Sequence, residues 1–211
     1  MVGEKALERT ASERLRGQFR LHWDSAWAAL RATPLLVFAL PFLAAAVILV
    51  VRITPIGWVT EKPSQELIAP TVLAVAAGSV LFVHYWTKAK FTLMLSIFVW
   101  ALFLRELHFE FMNGGILFAL AGLMWWLSTV RHELQDWLSN YWIRLWLAGA
   151  FFTYFTSDMM DRHVLIFIPN YFSWNDNVEE TLETFGHSLV FALVLMTLKL
   201  SHDIASKNAK G

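Results

Sequence analysis

Apolar residues run along this chain in blocks rather than alternating with polar ones, and six blocks are long enough to cross about 30 Å of hydrocarbon at about 1.5 Å per residue. They cover about 34–53, 67–87, 90–112, 114–131, 140–163 and 177–200. The pattern predicts an all-α polytopic membrane protein. Six transmembrane helices would occupy a domain over 34–200, with a short tail over 201–211. Residues 4–31 differ, because charges recur throughout while Leu7, Ala11, Leu15, Phe19, Trp23, Trp27 and Leu30 return every three or four positions. That spacing predicts an amphipathic helix within 1–33. Its basic polar face and two tryptophans suit a helix lying flat on the inner membrane surface, and docking of a soluble protein partner is the alternative.

Composition supports the membrane reading. Of 211 residues, 57% are hydrophobic and only 16% charged, and the mean hydropathy is +0.49, on the membrane side of globular usage. The net charge is zero, which gives no argument for nucleic acid or an acidic partner. The absence of cysteine excludes disulfides, iron–sulfur clusters and thiol nucleophiles and leaves nitrogen and oxygen ligands. The N-terminus is too polar for a signal peptide, so the first apolar block is expected to be a retained span.

Charge placement gives an orientation. Thirteen of the 17 Lys and Arg lie in the N-terminal arm, the Lys88/Lys90 turn, the Arg131 to Arg144 loop and the C-terminal stretch from Lys199 onward, and Arg52, Lys62, Arg105 and Arg162 lie at the other ends of the spans. By the positive-inside rule both termini are cytoplasmic, in a bacterial inner membrane, with the remaining ends facing outward. Small residues in GGILFALAG (114–122), AVAAGS (74–79) and LAGA (147–150) read as close helix packing.

The outward ends carry the candidate chemistry. Counting from the cytoplasmic charges, Glu106 lies about 24 Å above Lys90, Asp158 about 21 Å above Arg144 and Glu183 about 24 Å above Lys199. Three helices therefore bring a carboxylate to one level. His108, Asp161 and His163 fall slightly further out, and His187 about 6 Å deeper than Glu183. An isolated charge at such depth costs at least about 2.5–3.5 kcal/mol, so these groups are expected to face one another inside the bundle. Each set shares a helical face: Glu106 with Glu110, Asp158 with Asp161, and Glu180 with Glu183 and His187.

Structural explanations cover part of the set. Asn177-Val-Glu-Glu fits a helix cap followed by first-turn acids, which accounts for Glu179 and Glu180. Arg105 can pair with Glu106 or Asp158, and Arg162 with Asp158. His84, near the inner surface, reads as a packing histidine. Two arginines still face five carboxylates (Glu106, Glu110, Asp158, Asp161, Glu183) and three histidines. A divalent metal ion, either zinc, iron or manganese, would balance that excess. The expected metal ligands are His108, Asp161, His163, Glu183 and His187, and the expected catalytic carboxylates Glu106, Asp158 and Glu183. Haem is disfavoured because His187 has no histidine at its level, and a di-iron bundle because no Glu-x-x-His pair is present.

Three histidines and aspartates near one membrane face, with Ser157 beside Asp158, are similar in chemistry to the seven-helix zinc hydrolases that include alkaline ceramidases and adiponectin receptors. That family has a His-x-x-x-His pair on its last helix where this chain has Glu183-x-x-x-His187, and seven spans against six. No residue is carried over. The first functional expectation is a metal-dependent membrane hydrolase acting on a lipid or lipid-linked substrate, with membrane lipids as its surroundings. A proton- or cation-coupled transporter and a non-catalytic subunit or sensor, linked to a protein partner through the N-terminal helix, are the alternatives.

Overall fold

The computed structural model describes the backbone of 35–107, 122–123, 126, 129–164 and 171–208 in one compact unit. A separate unit comprises Met1–Pro34, in which Glu13, Arg16, Gly17, Arg20 and Arg31 are helical and exposed. The described residues are predominantly helical and contain no strand. Helix α1 spans Leu35–Arg52, a 3-10 turn Gly57–Thr60, α2 Lys62–Thr87, α3 Lys90–Glu106, α4 Arg131–Leu138, α5 Tyr141–Asp161 and α6 Tyr171–Asn208. The expected span at 114–131 lies almost wholly outside the described residues.

Two helices are long and apolar enough to cross a membrane: Lys62–Thr87 with 26 residues, and Trp174–His202 within α6 with 29. Helix α1 is apolar but shorter over Val37–Arg52. Six spans were expected, and these two are what the described helices support. The shortfall has a physical side: α3 has 17 residues, about 25 Å of helix, and α5 is rich in Trp, Tyr and polar residues.

Helix α6 is the hub, packing against α5 and α2, against α1, the 3-10 turn and, more lightly, α3. Its sequence explains why. Val178, Leu182, Leu189, Val190, Leu193 and Val194 are all buried, and their three- and four-residue spacing presents apolar surface over a broad face. Buried Gly149 lets α5 approach its neighbours: a Cβ there would stand 3.2 Å from Leu40 Cδ2 and 3.6 Å from Leu189 Cδ1. Small residues at helix contacts do this generally. Two buried hydroxyls are satisfied within their own helices, Thr153 donating to Gly149 O at 2.8 Å and Thr197 to Leu193 O at 2.8 Å, so neither adds an unpaired donor to the interior.

Turn chemistry fixes the helix ends. Lys88 adopts φ 53 at the end of α2, the left-handed conformation that commonly stops a helix. Asn140 caps α5, its side chain accepting from Trp142 N and Ile143 N. Asn177 does something other than the expected capping of its own helix. Because α6 begins at Tyr171, Asn177 lies inside it, and its Oδ1 accepts instead from Lys62 N at 3.3 Å. Lys62 Nζ in turn pairs with Glu180 at 2.9 Å. Two residues that look like an N-terminal cap of the last helix thus serve the first turn of α2, whose amide donors have no partner within that helix.

Gly57 sits where a Cβ would collide with the backbone oxygen of Arg52, whereas the space beside Gly78 in α2 is open. Gly57→Ala is therefore expected to destabilise the protein by about 1–3 kcal/mol through forced backbone displacement. Gly78→Ala is expected to be neutral or to stabilise by up to about 1 kcal/mol from helix propensity. Unfolding in detergent micelles, followed by circular dichroism, checks the opposite signs.

Candidate metal centre

At the end of the bundle where α3 stops, Arg105 and Glu106 turn toward α6. Arg105 Nη1 pairs with Glu183 Oε1 at 2.6 Å, and Glu106 Oε1 lies 3.3 Å from His187 Nε2. Glu183 and His187 meet α3 together because residues four apart share a helical face. The two carboxylates are mostly buried, with side chains 13% exposed, and His187 is fully enclosed at 0%. Arg105 remains 41% exposed at the lip.

Glu106, Glu183 and His187 can hold a metal ion: one ligand atom from each lies within 4.8 Å of the other two. Ligands at about 2.0–2.2 Å around one ion stand about 3–4 Å apart, so loading would close the separations between them by up to about 1–2 Å. The donor set is chemically suited, since imidazole with carboxylate accepts zinc, iron or manganese.

His187 has a second partner that the depth count passed over. Tyr154 Oη, from the middle of α5, lies 2.5 Å from His187 Nδ1. With Nδ1 so engaged, Nε2 is directed at the carboxylates. It is buried there with no hydrogen bond, although Glu106 Oε1 is 3.3 Å away; the contact is close enough for electrostatic attraction but lies outside hydrogen-bond geometry. A buried imidazole nitrogen in that condition is a natural ligand for a cation.

The other expected residues do not join this group. Asp158 is exposed and pairs with Arg162 Nε at 2.8 Å on its own helix. Its position explains this: buried Thr153, Thr156, Ser157 and Met160 define the packed face of α5, and Asp158 falls to one side. Asp161 and His163 are exposed at the helix end. His163 adopts φ 55, so the chain leaves the helix at the residue that an acid-x-His ligand pair would need turned inward. Ser157 donates to the Glu179 backbone oxygen at 3.3 Å, an interhelical packing contact. His108 and Glu110 lie outside the described residues. His84 behaves as a packing histidine, its Nδ1 3.1 Å from Thr92 Oγ1.

Tyr154 was within reach of sequence reasoning. It stands ten residues above Arg144 and His187 twelve above Lys199, heights of about 15 and 18 Å.

No family model matches the chain, and no curated protein or solved structure matches it either. The chemistry of the site therefore rests on its own geometry.

The two arginine pairs differ in environment, and a double-mutant cycle separates them. Arg105→Met with Glu183→Gln is expected to show a coupling of about 0.5–3 kcal/mol, as contacting groups in a largely buried network do. Arg162→Met with Asp158→Asn, an exposed pair four residues apart, is expected to show no resolvable coupling. Unfolding free energies of the singles and doubles measure both couplings.

Proposed function

We propose that the chain is an integral membrane protein with a divalent-metal centre held by Glu106, Glu183 and His187, and that it works as a metal-dependent hydrolase on a lipid or lipid-linked substrate. The observation that carries this reading is the approach of two carboxylates to a buried imidazole nitrogen that has no hydrogen bond. A bound metal would lower the pKa of a coordinated water to about 7, supplying a nucleophile at neutral pH. Glu106 or Glu183, whichever is not bound tightly, is positioned to take a proton from that water. Arg105, at the lip, offers a guanidinium to an anionic group on the substrate.

Membrane insertion is supported by where the apolar surface lies. Only 33% of the most apolar stretch of α2 is buried against protein, whereas a core helix of a soluble protein would be mostly enclosed. Phe42, Leu67, Phe82, Phe151 and Leu195 are among the large apolar side chains facing outward, more exposed hydrocarbon than water tolerates in a monomer. In this reading six spans cross a bacterial inner membrane with both termini cytoplasmic, and the metal centre lies toward the outer side, open to lipid substrates from the outer leaflet. The N-terminal helix lies on the inner surface.

A second reading has one observation in its favour. The Arg105–Glu183 pair is what a purely structural polar network, or the resting state of a proton-coupled carrier, would contain. Metal content separates the readings. Full-length protein purified without chelators is expected to carry about one equivalent of zinc, iron or manganese by elemental analysis. His187→Ala and Glu183→Ala are expected to lose it, and Asp158→Asn to keep it. Metal-free wild-type protein, with no gain on dialysis against these ions, would sink the proposal in favour of the network. Release of soluble product from a labelled lipid extract, abolished by chelator and by Glu106→Gln, tests the hydrolase assignment.

The cysteine-free sequence makes the topology directly readable. Single cysteines placed at exposed Thr54 and Ser139 are expected to react with a membrane-impermeant maleimide from opposite sides, Thr54→Cys in intact cells and Ser139→Cys only after permeabilisation. Labelling of both from one side would contradict the arrangement.

A further inference from the structure

Tyr154 is the one phenol that reaches the buried imidazole among the described residues, and a glycine makes its position possible. A Cβ at Gly186 would stand 3.0 Å from Tyr154 Cε1 and 3.1 Å from Cζ, tighter than side chains normally pack. The bare backbone at 186 is therefore a notch in α6, and the Tyr154 ring lies in it. From there the hydroxyl reaches His187 Nδ1 at 2.5 Å. The neighbouring residue on the same turn supplies the notch, so the sequence Gly186-His187 carries both the ligand and the room for its support.

We propose that Tyr154 is a positioning residue for the metal ligand His187, acting as a reversible hydrogen-bond partner whose direction sets the tautomer of the ring. This rests on the metal reading above. A phenol hydroxyl can donate or accept, and a neutral imidazole carries one donor and one acceptor nitrogen. In the metal-free protein Tyr154 O–H donates to Nδ1, which leaves the ring proton on Nε2, directed toward Glu106. With a metal on Nε2 that nitrogen must present its lone pair. The ring proton then sits on Nδ1 and donates to the Tyr154 oxygen, whose own hydrogen rotates away. The proton count of the ring is the same in both states. Only its location changes, and one side chain satisfies Nδ1 in each. Ligand histidines commonly have their second nitrogen fixed by such a partner, and removing the partner typically weakens metal binding 10–100-fold. A hydroxyl in this place differs from the usual carboxylate or carbonyl because it can serve both tautomers, so the ring orientation is kept before and after loading.

The test uses full-length protein in nanodiscs with 15N-labelled histidine, and two readouts. In chelator-treated wild type, His187 is expected to show a single tautomer with the proton on Nε2, and zinc is expected to move it to Nδ1. Tyr154→Phe keeps the ring and loses only the hydroxyl. It is expected to leave the protein folded with a midpoint lowered by no more than the loss of one buried hydrogen bond, to give mixed His187 tautomers without metal, and to weaken zinc binding 10–100-fold by competition with a chromophoric chelator. Gly186→Ala, which pushes the ring out of its notch, is expected to reproduce the tautomer mixing, and Gly78→Ala to leave His187 unchanged. Unaltered His187 resonances in Tyr154→Phe would overturn the positioning role. Mixed tautomers in the variant, with no zinc bound by wild type, would keep the positioning and remove the metal reading.

Discussion

Charged and imidazole groups placed inside an apolar helix bundle have only one another to satisfy them, and the meeting of α3 with α6 is built on that constraint. Arg105 and Glu106 are consecutive in sequence yet address different partners one helical turn apart on α6, Glu183 and His187. The last residues of α3 are thereby fixed in rotation and in height against the hub helix. Everything that could approach the cluster does so within that frame. Tyr154 enters from α5, on the side of α6 where Gly186 leaves room, so three helices converge on a single imidazole.

The same end of the bundle is closed by a second polar layer. Asn177 and Glu180, on the face of α6 beyond Glu183, take up the first turn of α2, and Thr181 donates to Thr60 O at 3.4 Å. Helix α6 thus spends its polar residues on three neighbours in turn, α2, α3 and α5, along about three turns of helix. Below that level its buried hydroxyls bond back to their own helix and its packing becomes apolar. The division follows from solvent: hydroxyls can be satisfied locally by a carbonyl four residues earlier, whereas carboxylates and guanidinium groups need a partner of opposite charge from elsewhere in the fold.

How much of this was legible in the sequence depends on whether the signal was one-dimensional. Helicity, the long apolar blocks at 67–87 and 177–200 and the shared face of Glu183 and His187 follow from periodicity alone, and the structure carries all three. Height along the helix axes puts Glu106 level with Glu183 and His187 about 6 Å deeper, whereas in the structure Arg105 meets Glu183 and Glu106 faces His187. Depth counting failed for Asp158 because height says nothing about azimuth: on α5 the packed face is set by Thr153, Thr156, Ser157 and Met160, and Asp158 points past it toward Arg162. The Asn177 motif misled for a related reason. A capping pattern reads the same whether it caps its own helix or lies inside one that began at Tyr171, and aromatic residues such as Tyr171, Phe172 and Trp174 gave no sign of a helix already under way. Tyr154 and Gly186 were visible as letters but gain meaning only when α5 and α6 lie side by side.

Stability alone is a poor reason for burying this cluster. Replacing a buried ion pair with apolar residues of similar volume is often neutral or stabilising by about 1–4 kcal/mol, because desolvation consumes what attraction returns. A bundle selected only to hold together would lose little by carrying leucine and methionine at 105, 106, 183 and 187. What the polar set provides and an apolar one does not is two largely buried carboxylates beside an exposed guanidinium, with a buried imidazole nitrogen facing one of them. An ion-pair network that was complete in itself would also be expected to leave no donor or acceptor orphaned, since each such atom costs about 1–3 kcal/mol. His187 Nε2 is buried without a hydrogen bond even though its other nitrogen is well held. A cation between the carboxylates and that nitrogen would answer the charge and the orphaned atom together.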